Sequence, residues 1–390
     1  MPTYIERRWE GNPSAYGGRR ARRSFPYRAF MPDLIGQMDP QVTFDAADAV
    51  AAAERSIQDL NIYESVAGLE AVGALLLRSE AIASSRIEGF ELSPRNLAKA
   101  LIDPRTARGA ARTVAANVLA MEQAVAIGEA DRELTTDDLL AIHRTLMENE
   151  PARVSPGAFR KEQNWIGGRL DSPLDARYVP PPEDAVEGLV ADLVAFMNRD
   201  DLPGVAQAAI GHAQFETIHP FIDGNGRVGR CLIHVALRRR GVAPRFVPPV
   251  SVILASRPDA YISGLVDYRE GKVAAWCASF AAACARSAVI SQRLADDIRS
   301  LQESWLKRAG RPRSDSAAAR IIAMLPAQPI TSAGTIRAAI GASHQRALDG
   351  LKALAAAGVV RQITEGTYDR QYAAEELFDL IEHHETSLVA

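Results

Sequence analysis

The residues between Thr217 and Arg230 combine groups that could carry out phosphoryl chemistry. The stretch reads TIHPFIDGNGRVGR and holds a histidine, an acid, three glycines and two arginines. An imidazole, with an ordinary pKa near ~6.5, can accept a proton from a hydroxyl group. A carboxylate beside phosphate oxygens can bind Mg²⁺. Together these groups favour the transfer of a phosphate-containing group.

The surrounding pattern predicts a turn between two helices. Apolar residues recur at helical spacing over Val205–Ile218, and Pro220 disfavours helix at His219. A glycine-rich turn that runs into a helix start presents backbone N–H groups to an anion, with the positive end of the helix dipole behind them. Arg227 and Arg230 would lie on one face of the second helix and could hold phosphate oxygens.

The stretch HPFIDGNGR, followed by Arg230, resembles the signature of the Fic family, and every fixed position of that signature is matched. The resemblance extends from about Tyr27 to Trp305 and includes GAFRKEQNWIGG and YVPPP. It implies a mainly all-α fold, a Fic helical bundle with a small β-hairpin flap, which we expect at Glu162–Leu170. It also implies a protein adenylyltransferase, which moves AMP from ATP to a Ser, Thr or Tyr hydroxyl of a protein target or of itself.

The resemblance assigns a role to each position of the motif. His219 would be the general base for the target hydroxyl, and Asp223 would bind the Mg²⁺ that bridges the α- and β-phosphates. Ile166, Gly167 and Gly168 would form the flap that aligns the target backbone. The remaining nucleotide-binding positions would be Gly224, Asn225, Gly226, Arg227, Val228, Gly229, Arg230 and Ser256.

Gly226 bears on which group is transferred. In the Doc kinases, a branch of the same superfamily, a lysine at the corresponding position blocks the cradle for the α-phosphate. Glycine therefore favours AMP transfer over phosphate transfer. Transfer of another phosphate-containing group stays open as an alternative.

A second stretch, SSRIEGF, carries the pattern Ser-x-x-x-Glu-Gly. By itself it is an ordinary helix end, with Gly89 just past the last turn. In the Fic family the same pattern marks an inhibitory helix. The resemblance implies that Glu88 pairs with Arg230 and keeps it from the γ-phosphate, while Ser84 shares the helix face of Glu88. In some relatives the same glutamate supports removal of AMP, and that alternative also stays open.

The composition is that of an ordinary soluble globular protein. The chain has 390 residues, 47% of them hydrophobic and 24% charged, and a net charge of −3, which favours neither a nucleic acid nor a membrane partner. An odd number of cysteines without a CxxC pair argues against disulfides and zinc. The apolar stretch Val273–Ala285 is shorter than the ~20 residues of a membrane span. We therefore expect a cytoplasmic protein.

We expect four regions along the chain. They are an N-terminal arm and helical region that carries the inhibitory helix (1–110), a catalytic core (111–306), a linker (307–316) and a winged helix-turn-helix (317–390). The arm is arginine-rich and irregular, and its aromatic residues would anchor it on the protein's own acidic surface. The last region reads as three short helices and two strands joined by a turn at Glu365–Gly366, the order of a winged helix.

A DNA-binding regulator is the rival function. Residues 315–390 carry six Lys/Arg and nine Asp/Glu, a balance of −3 that opposes binding driven by phosphate charge. The segment SHQRALDGLK could nevertheless meet a DNA groove as a recognition helix. DNA binding and protein docking both stay open for this region. Relatives with this layout often dimerise, so a homodimer is also expected.

Overall fold

A computed structural model describes residues 3–11, 23–40, 43–62, 69–150, 154–169, 171–364 and 370–387. Helices dominate these residues and strands form only two small sheets, which confirms the mainly all-α fold class. The helices are α1 (Phe44–Ile62), α2 (Leu69–Ile87), α3 (Pro94–Ile102), α4 (Ala110–Glu129), α5 (Thr136–Met147), α6 (Val186–Met197), α7 (Gly204–Ile218), α8 (Asn225–Arg239), α9 (Val250–Ser256), α10 (Pro258–Arg269), α11 (Val273–Arg308), α12 (Ala317–Met324), α13 (Ala333–Ile340), α14 (His344–Ala356) and α15 (Glu375–Ser387).

The N-terminal arm contains a β-hairpin, so the prediction of an irregular arm was wrong. Strands β1 (Thr3–Trp9) and β2 (Phe25–Met31) run antiparallel, with Trp9 opposite Phe25. The sequence does not indicate the pairing of these strands, because many residues separate them.

The strand β1 lies with one face toward the protein. Ile5, Arg7 and Trp9 are partly buried while the residues between them are exposed, which is the period of two of a strand. Arg7 donates through Nη2 to Asp184 at 3.0 Å. This ion pair is of the kind expected between the arm and an acidic surface. Asp184 is largely exposed and about a third of the Arg7 side chain is exposed, so the contribution of this ion pair to stability is small.

The first compact unit comprises Met1–Glu54, Leu119–Val242 and Asp259–Ala282. Within it, α7 packs against α6 and α8, and α5 packs against α6 and α8. Every residue of α7 is buried. A helix that is apolar or small on all sides belongs at the centre of a bundle. The first unit is therefore built around the α7–α8 pair that carries the HPFIDGNGR motif.

The start of α5 is fixed by a capping box. Thr135 accepts a hydrogen bond from the backbone of Asp138, and Asp138 accepts one from the backbone of Thr135. Arg132 donates to both carboxylate oxygens of Asp138, at 2.6 and 2.7 Å. These bonds satisfy N–H groups that a helix start leaves open and place a negative charge at the positive end of the helix dipole.

The capping box predicts a pH-dependent loss of stability. The hydrogen bond from Arg132 lowers the pKa of Asp138 from 3.8 to about 2. A lowered folded-state pKa stabilises the protein above the unfolded pKa, and this stability is lost as the pH falls through the folded value. We expect Asp138→Asn to lower the free energy of unfolding at pH 7 by about 1 kcal/mol. In urea titrations the difference from wild type should narrow below pH 4 and vanish near pH 2, whereas a constant difference would contradict this account.

The second compact unit comprises Arg55–Val118, Ala243–Pro258 and Ala283–Ala390. One hydrophobic core runs through it and includes Leu75 of α2, Trp305 of α11 and residues of the C-terminal helices. Its strands are β3 (Ile330–Ser332), β4 (Arg361–Gln362) and β5 (Gln371–Ala373), in the order β3-β5-β4 with antiparallel pairing.

The C-terminal part of this unit has the element order α12, β3, α13, α14, β4, β5 and α15. Three of these helices have a serine N-cap whose side chain accepts a hydrogen bond from the backbone N–H three residues on, namely Ser316, Ser332 and Ser343. The predicted turn at Glu365–Gly366 lies outside the described residues. The winged-helix assignment and the four region boundaries stay predictions.

The helix α11 is 36 residues long and extends well beyond the apolar stretch noted in the sequence. Among the described residues it alone is long and apolar enough to cross a membrane by length and composition. Its most apolar window is 39% buried within the protein. The core helix of a soluble protein can have the same length and composition, so these properties do not distinguish a membrane-spanning helix from a core helix.

Candidate active site

The helix α7 ends at Ile218, and the C-cap residue His219 adopts the left-handed backbone conformation with φ 50° and ψ 60°. This conformation is uncommon for a residue with a side chain. The His219 N–H donates to Phe215 O at 2.9 Å and closes the last turn. The imidazole is partly exposed, and its Nδ1 lies 3.8 Å from Glu216 Oε2. The ring therefore stands at the helix end, beside a carboxylate and within reach of solvent.

The loop after His219 is locked by Asn225. Its side-chain amide donates to Phe221 O at 2.8 Å, and its carbonyl oxygen accepts from Phe221 N at 2.8 Å. Both residues are buried. The pair of bonds needs a donor and an acceptor on one short side chain, which asparagine supplies. The lock fixes the path of the chain between the imidazole and the start of α8.

The helix α8 begins at Asn225, and Gly224 before it has a φ of 80°. A Cβ atom at Gly224 would lie 3.0 Å from Met147 Sδ, so glycine suits both the conformation and the space. The first bond back within the helix runs from Val228 N to Gly224 O at 3.0 Å. The N–H groups ahead of Val228 have no acceptor within the helix. Together with the helix dipole they form an anion-binding site.

The two arginines of the motif are deeply buried, with 1% of each residue exposed. They lie three residues apart on α8. Arg227 Nη2 lies 3.7 Å from Met147 Sδ and 3.9 Å from Asp223 Oδ1. Burial restricts the guanidinium groups to fixed positions. Arg227 and Arg230 thus lie in the first turns of α8, where two guanidinium groups could hold phosphate oxygens.

Two motif residues that were predicted to bind nucleotide have packing roles in the structure. Val228 is completely buried. A Cβ atom at Gly229 would lie 2.6 Å from Glu216 Oε1 and 3.0 Å from the ring of Phe215. Gly229 therefore allows α8 to approach α7 closely. Contact of either residue with a nucleotide stays a prediction.

His143 of α5 supports the loop, although the sequence indicated only a histidine in an apolar helix. Its ring stacks on Phe221 with centroids 3.7 Å apart and planes 5° apart. Its Nδ1 accepts from Gly157 N at 2.9 Å, so Nε2 carries the proton and donates to Asp223 O at 3.2 Å. Burial lowers the pKa of His143 to about 4, which keeps this tautomer neutral at pH 7.

Arg160 and Asn164 hold the backbone of His219. Arg160 donates through its side-chain Nε to His219 O at 3.0 Å and through its backbone N–H to Pro220 O at 2.9 Å. The Asn164 amide donates to His219 O at 3.2 Å and to Phe221 O at 2.9 Å. Burial lowers the pKa of Arg160 to about 10, so it remains charged at pH 7. Both residues lie in GAFRKEQNW, where the sequence analysis assigned no individual role.

The predicted hairpin at 162–170 is absent from the part of the chain that the structure describes. Instead, Ile166 forms an isolated antiparallel bridge with Tyr178, and its N–H donates to Tyr178 O at 2.8 Å. Gly167 and Gly168 follow with φ values of 74° and 72°. Two consecutive left-handed residues cannot continue a strand, which explains the difference. Residues 166–168 thus form a turn anchored at Ile166, with both glycines exposed, and their role as a target-binding flap stays a prediction.

The helix α2 ends in a Schellman motif that includes the glutamate of the second sequence pattern. Gly89, with a φ of 84°, donates to Arg86 O at 2.9 Å, and Phe90 N donates to Ser85 O at 3.0 Å. These two bonds define the motif and place Glu88 at the C-cap. Glu88 is exposed. The ordinary helix-stop interpretation of this stretch is therefore confirmed.

Three further predicted residues lie in the second compact unit, whereas Arg230 lies in the first. Ser84 is completely buried, whereas Glu88, just past the end of α2, is exposed. The hydroxyl of Ser256, at the end of α9, donates to Ile253 O at 2.8 Å. The inhibitory role of Ser84 and Glu88 and the adenine contact of Ser256 stay predictions.

Asp223 suits a cation that arrives with a nucleotide. Among the described residues no group of three or more His, Cys, Asp or Glu side chains could hold a metal ion. The Asp223 side chain is 52% exposed, and its Oδ1 accepts from Gly224 N at 2.6 Å. Mg²⁺ is commonly bound by one or two carboxylates together with substrate phosphates and water. One carboxylate beside an anion-binding helix start fits that pattern.

These elements form a helix–loop–helix site with an imidazole at its edge and a helix start suited to an anion. Residues 133–237 match the sequence model of the Fic/DOC family, so the chain carries a Fic/DOC domain. The recognition of this family from HPFIDGNGR is confirmed.

Curated relatives resemble parts of the chain. It is 30% identical over 134 residues to protein adenylyltransferase fic-1 of Caenorhabditis briggsae, a match that covers 34% of this chain and 24% of the relative. It is 29% identical over 199 residues to a probable protein adenylyltransferase of Aquifex aeolicus, which covers 51% and 57%. The chain thus spans from a quarter to just over half of the length of these relatives.

Solved structures show the same fold. A Fic family protein from Desulfovibrio desulfuricans G20 superposes with a TM-score of 0.52 at 21% identity, over 86% of this chain and 98% of the other. Fic-1 from C. elegans superposes with a TM-score of 0.51 at 21% identity, over 65% and 73%. At such identity the likeness supports the fold alone.

Proposed function

We propose that this protein is an adenylyltransferase that moves AMP from ATP to a Ser, Thr or Tyr hydroxyl of a protein target or of itself. The observation that carries the proposal is the Asn225–Phe221 lock, because it holds His219 next to the anion-binding start of α8. Relatives named protein adenylyltransferase support the same reaction.

The proposed reaction balances with the groups present in the first unit. The target hydroxyl attacks the α-phosphorus of ATP, its proton passes to the His219 imidazole, and the bond between the α- and β-phosphates breaks. Pyrophosphate leaves with the electron pair of that bond. The N–H groups at the start of α8 stabilise the negative phosphate oxygens, and Arg227 and Arg230 hold the β- and γ-phosphates. A Mg²⁺ ion held by Asp223 would neutralise phosphate charge.

The position of the label decides between the possible transferred groups. Purified protein is incubated with ATP labelled at the α-phosphate or at the γ-phosphate, and the label on protein is counted. AMP transfer predicts label on protein from the α-position alone. Label from the γ-position alone would mean phosphate transfer and would contradict the proposal.

The loop lock predicts a loss of both activity and stability in Asn225→Asp. The substitution keeps the size of the side chain but replaces the donor to Phe221 O by a carboxylate oxygen. Phe221 O keeps the bond from Asn164, but the new carboxylate oxygen faces this carbonyl and has no donor. A buried acceptor without a donor costs about 1–3 kcal/mol. We expect a lower melting temperature and AMP transfer reduced at least ~10-fold.

The exposed Asn149 provides the matched control for this substitution, since it lies outside the loop. Asn149→Asp should leave the melting temperature and the rate of AMP transfer unchanged. Wild-type transfer by Asn225→Asp would show that the lock does not position the site.

The flap predicts an effect of Gly168→Ala on transfer to protein. A Cβ atom at Gly168 would lie 2.6 Å from the backbone of Asp175 and Ala176, and its φ of 72° is strained for alanine. We expect transfer to protein to fall several-fold while the Kd for ATP, measured by calorimetry, is retained. Gly188→Ala is the control, because a Cβ atom there meets no neighbour within 4 Å. Equal effects of both substitutions on transfer would contradict a role for the flap.

We further propose that Glu88 inhibits the reaction by pairing with Arg230, so that the arginine cannot hold the γ-phosphate. Support comes from the Ser-x-x-x-Glu-Gly pattern and from the Schellman motif, which fixes the backbone of an exposed glutamate. The C-cap position fixes the backbone from which this carboxylate projects. Removal of AMP by the same glutamate is the alternative outcome.

The C-terminal region supports a winged-helix assignment through its order of three helices and three strands. Its recognition helix would be α14, which begins with the exposed residues His344, Gln345 and Arg346. The negative charge of the region favours a protein partner over DNA. A mobility-shift assay with the full chain at moderate salt tests DNA binding. A homodimer and a cytoplasmic location remain expectations.

A further inference from the structure

The second compact unit contains a cavity of about 180 Å³ outside the Fic/DOC domain. It lies where α2 and α3 meet the segment around β3. A cavity of roughly 150 Å³ lined by apolar side chains holds one benzene ring. The present cavity therefore has room for a single ring with small polar substituents. It is lined by Arg78, Ala98, Leu101, Ile102, Gln328, Pro329, Ile330 and Thr335.

The cavity wall carries a positive charge at a defined place. Arg78 of α2 donates through Nη1 to the carbonyl of Ala327, which fixes the direction of the guanidinium group. A guanidinium group binds carboxylates with paired hydrogen bonds in a plane. The wall thus favours a ligand with one carboxylate group.

A hydrogen-bond acceptor also faces this region. The side-chain oxygen of Gln328 is buried and accepts no hydrogen bond from any residue that the structure describes. A buried acceptor without a donor costs free energy, so a ligand that donates to it gains affinity. Thr335 adds a hydroxyl to the lining. The ligand should therefore carry a hydroxyl group in addition to its carboxylate.

The rest of the lining is apolar. Ala98 and Ile330 are buried and belong to a small core that joins α3 to the C-terminal sheet, with Ile102 packed against it. Apolar walls with a few convergent polar groups are typical of sites for small molecules. We propose that the cavity binds a small aromatic hydroxycarboxylate, with its ring against these side chains and its carboxylate on Arg78.

A ligand in this cavity would connect the helix that bears Glu88 to the C-terminal region. Arg78 and the Ser84–Glu88 stretch share α2, whereas Gln328 and Ile330 belong to the C-terminal region. The two parts already share contacts, since Arg95 of α3 pairs with Glu375 and lies over the ring of Phe378. The ligand would therefore act as an effector of AMP transfer through α2. This regulatory part of the proposal rests on the proposed function.

Calorimetry on the full chain tests the binding site directly. The probes are meta-hydroxybenzoate and para-hydroxybenzoate, with the neutral para-hydroxybenzamide as the comparison. We expect one of the acids to bind with one site per chain and at least ~10-fold more tightly than the amide, since a charge-assisted bond to Arg78 is lost in the amide. Absence of binding by both acids, or equal binding of acid and amide, would overturn the proposal.

Three variants locate the binding. Arg78→Met removes the charge and should weaken binding of the acid at least ~10-fold. Ala98→Leu fills the cavity and should abolish it. Lys99→Met is the control, because Lys99 is an exposed cation on α3 outside the lining, and it should bind like wild type. Melting temperatures confirm that each variant is folded, and wild-type binding by folded Arg78→Met would contradict the site.

Rates of AMP transfer with and without the bound acid test regulation separately. The acid should change the rate of wild type and of Lys99→Met but not of Arg78→Met. If binding is observed and the rate is unchanged, the effector role is wrong and the site stands. If no AMP transfer occurs even when Glu88→Gly is added to each protein, the proposed function fails, while the calorimetric result still decides the binding site.

Discussion

Replacement of His219 will reduce AMP transfer by about 10²–10⁴-fold, the usual contribution of a general base. No other imidazole has an equivalent place at the loop among the described residues. His143 stacks on Phe221 and is bound through both ring nitrogens, and His212 is buried against Tyr261. Burial lowers the pKa of His212 to about 3, so its ring is neutral at pH 7. The residue is completely buried and therefore has no contact with solvent.

The choice of substitution matters because His219 has a positive φ. Asparagine tolerates the left-handed conformation better than alanine, so His219→Asn removes the base with little backbone strain. We expect both His219→Asn and His219→Ala to retain ATP binding by calorimetry and to lose label transfer. Transfer by His219→Asn at the wild-type rate would show that the imidazole does not accept the proton.

Replacement of Glu88 should have the opposite effect and raise AMP transfer at least ~10-fold, the effect of losing an interaction of about 1.4 kcal/mol. Glu88→Gly removes the proposed partner of Arg230, so the arginine becomes available to the γ-phosphate. Initial rates with ATP labelled at the α-phosphate measure the change.

Glycine at the C-cap also loosens the end of α2, so a second variant separates charge from flexibility. Glu88→Gln keeps the length of the side chain and removes its charge, and it should raise transfer in the same direction. Arg230→Met should remain slow whether or not Glu88 is present, because the proposed phosphate ligand is gone. Unchanged rates in both Glu88 variants would refute autoinhibition and leave the transferase proposal intact.

The local features of the motif were predictable from sequence because neighbouring residues determine them. Pro220 disfavours helix at the residue before it, and α7 does end at Ile218. The glycines after Phe221 predict a tight turn, which Gly224 makes with a φ of 80°. The start of α5 likewise depends on two residues three positions apart, since Thr135 and Asp138 form its capping box. Each of these signals acts within a few residues of its effect.

The supports of the loop were not predictable in the same way because they come from distant parts of the chain. His143 lies 80 residues before Asp223, and no local pattern connects them. The same holds for Ile166 and Tyr178, whose bridge replaces the expected hairpin. The flap sequence contains glycines that suit a turn, but only the folded chain shows which residue anchors it.

The hydrophobic core of the second unit was also not predictable from neighbouring residues. This core joins Leu75 of α2 to Trp305 of α11 and to Leu351 of α14, three segments that a linear division assigns to three regions. The predicted linker between α11 and α12 is short, and hydrophobic contacts cross it. The prediction of a linker at this place rested on amino-acid composition alone. Burial of Trp305, whose ring N–H donates to Glu376 at 2.6 Å, ties the two sides together.

The most direct test is intact-protein mass spectrometry of Glu88→Gly after incubation with ATP and Mg²⁺, alone and with a candidate protein target. If the loop before α8 holds ATP while His219 activates a hydroxyl, the spectrum will show the added mass of one AMP group on the chain or on the target. The gain will be absent from the double variant Glu88→Gly/His219→Asn. A gain equal to one phosphate, or the same gain in the double variant, would contradict the account.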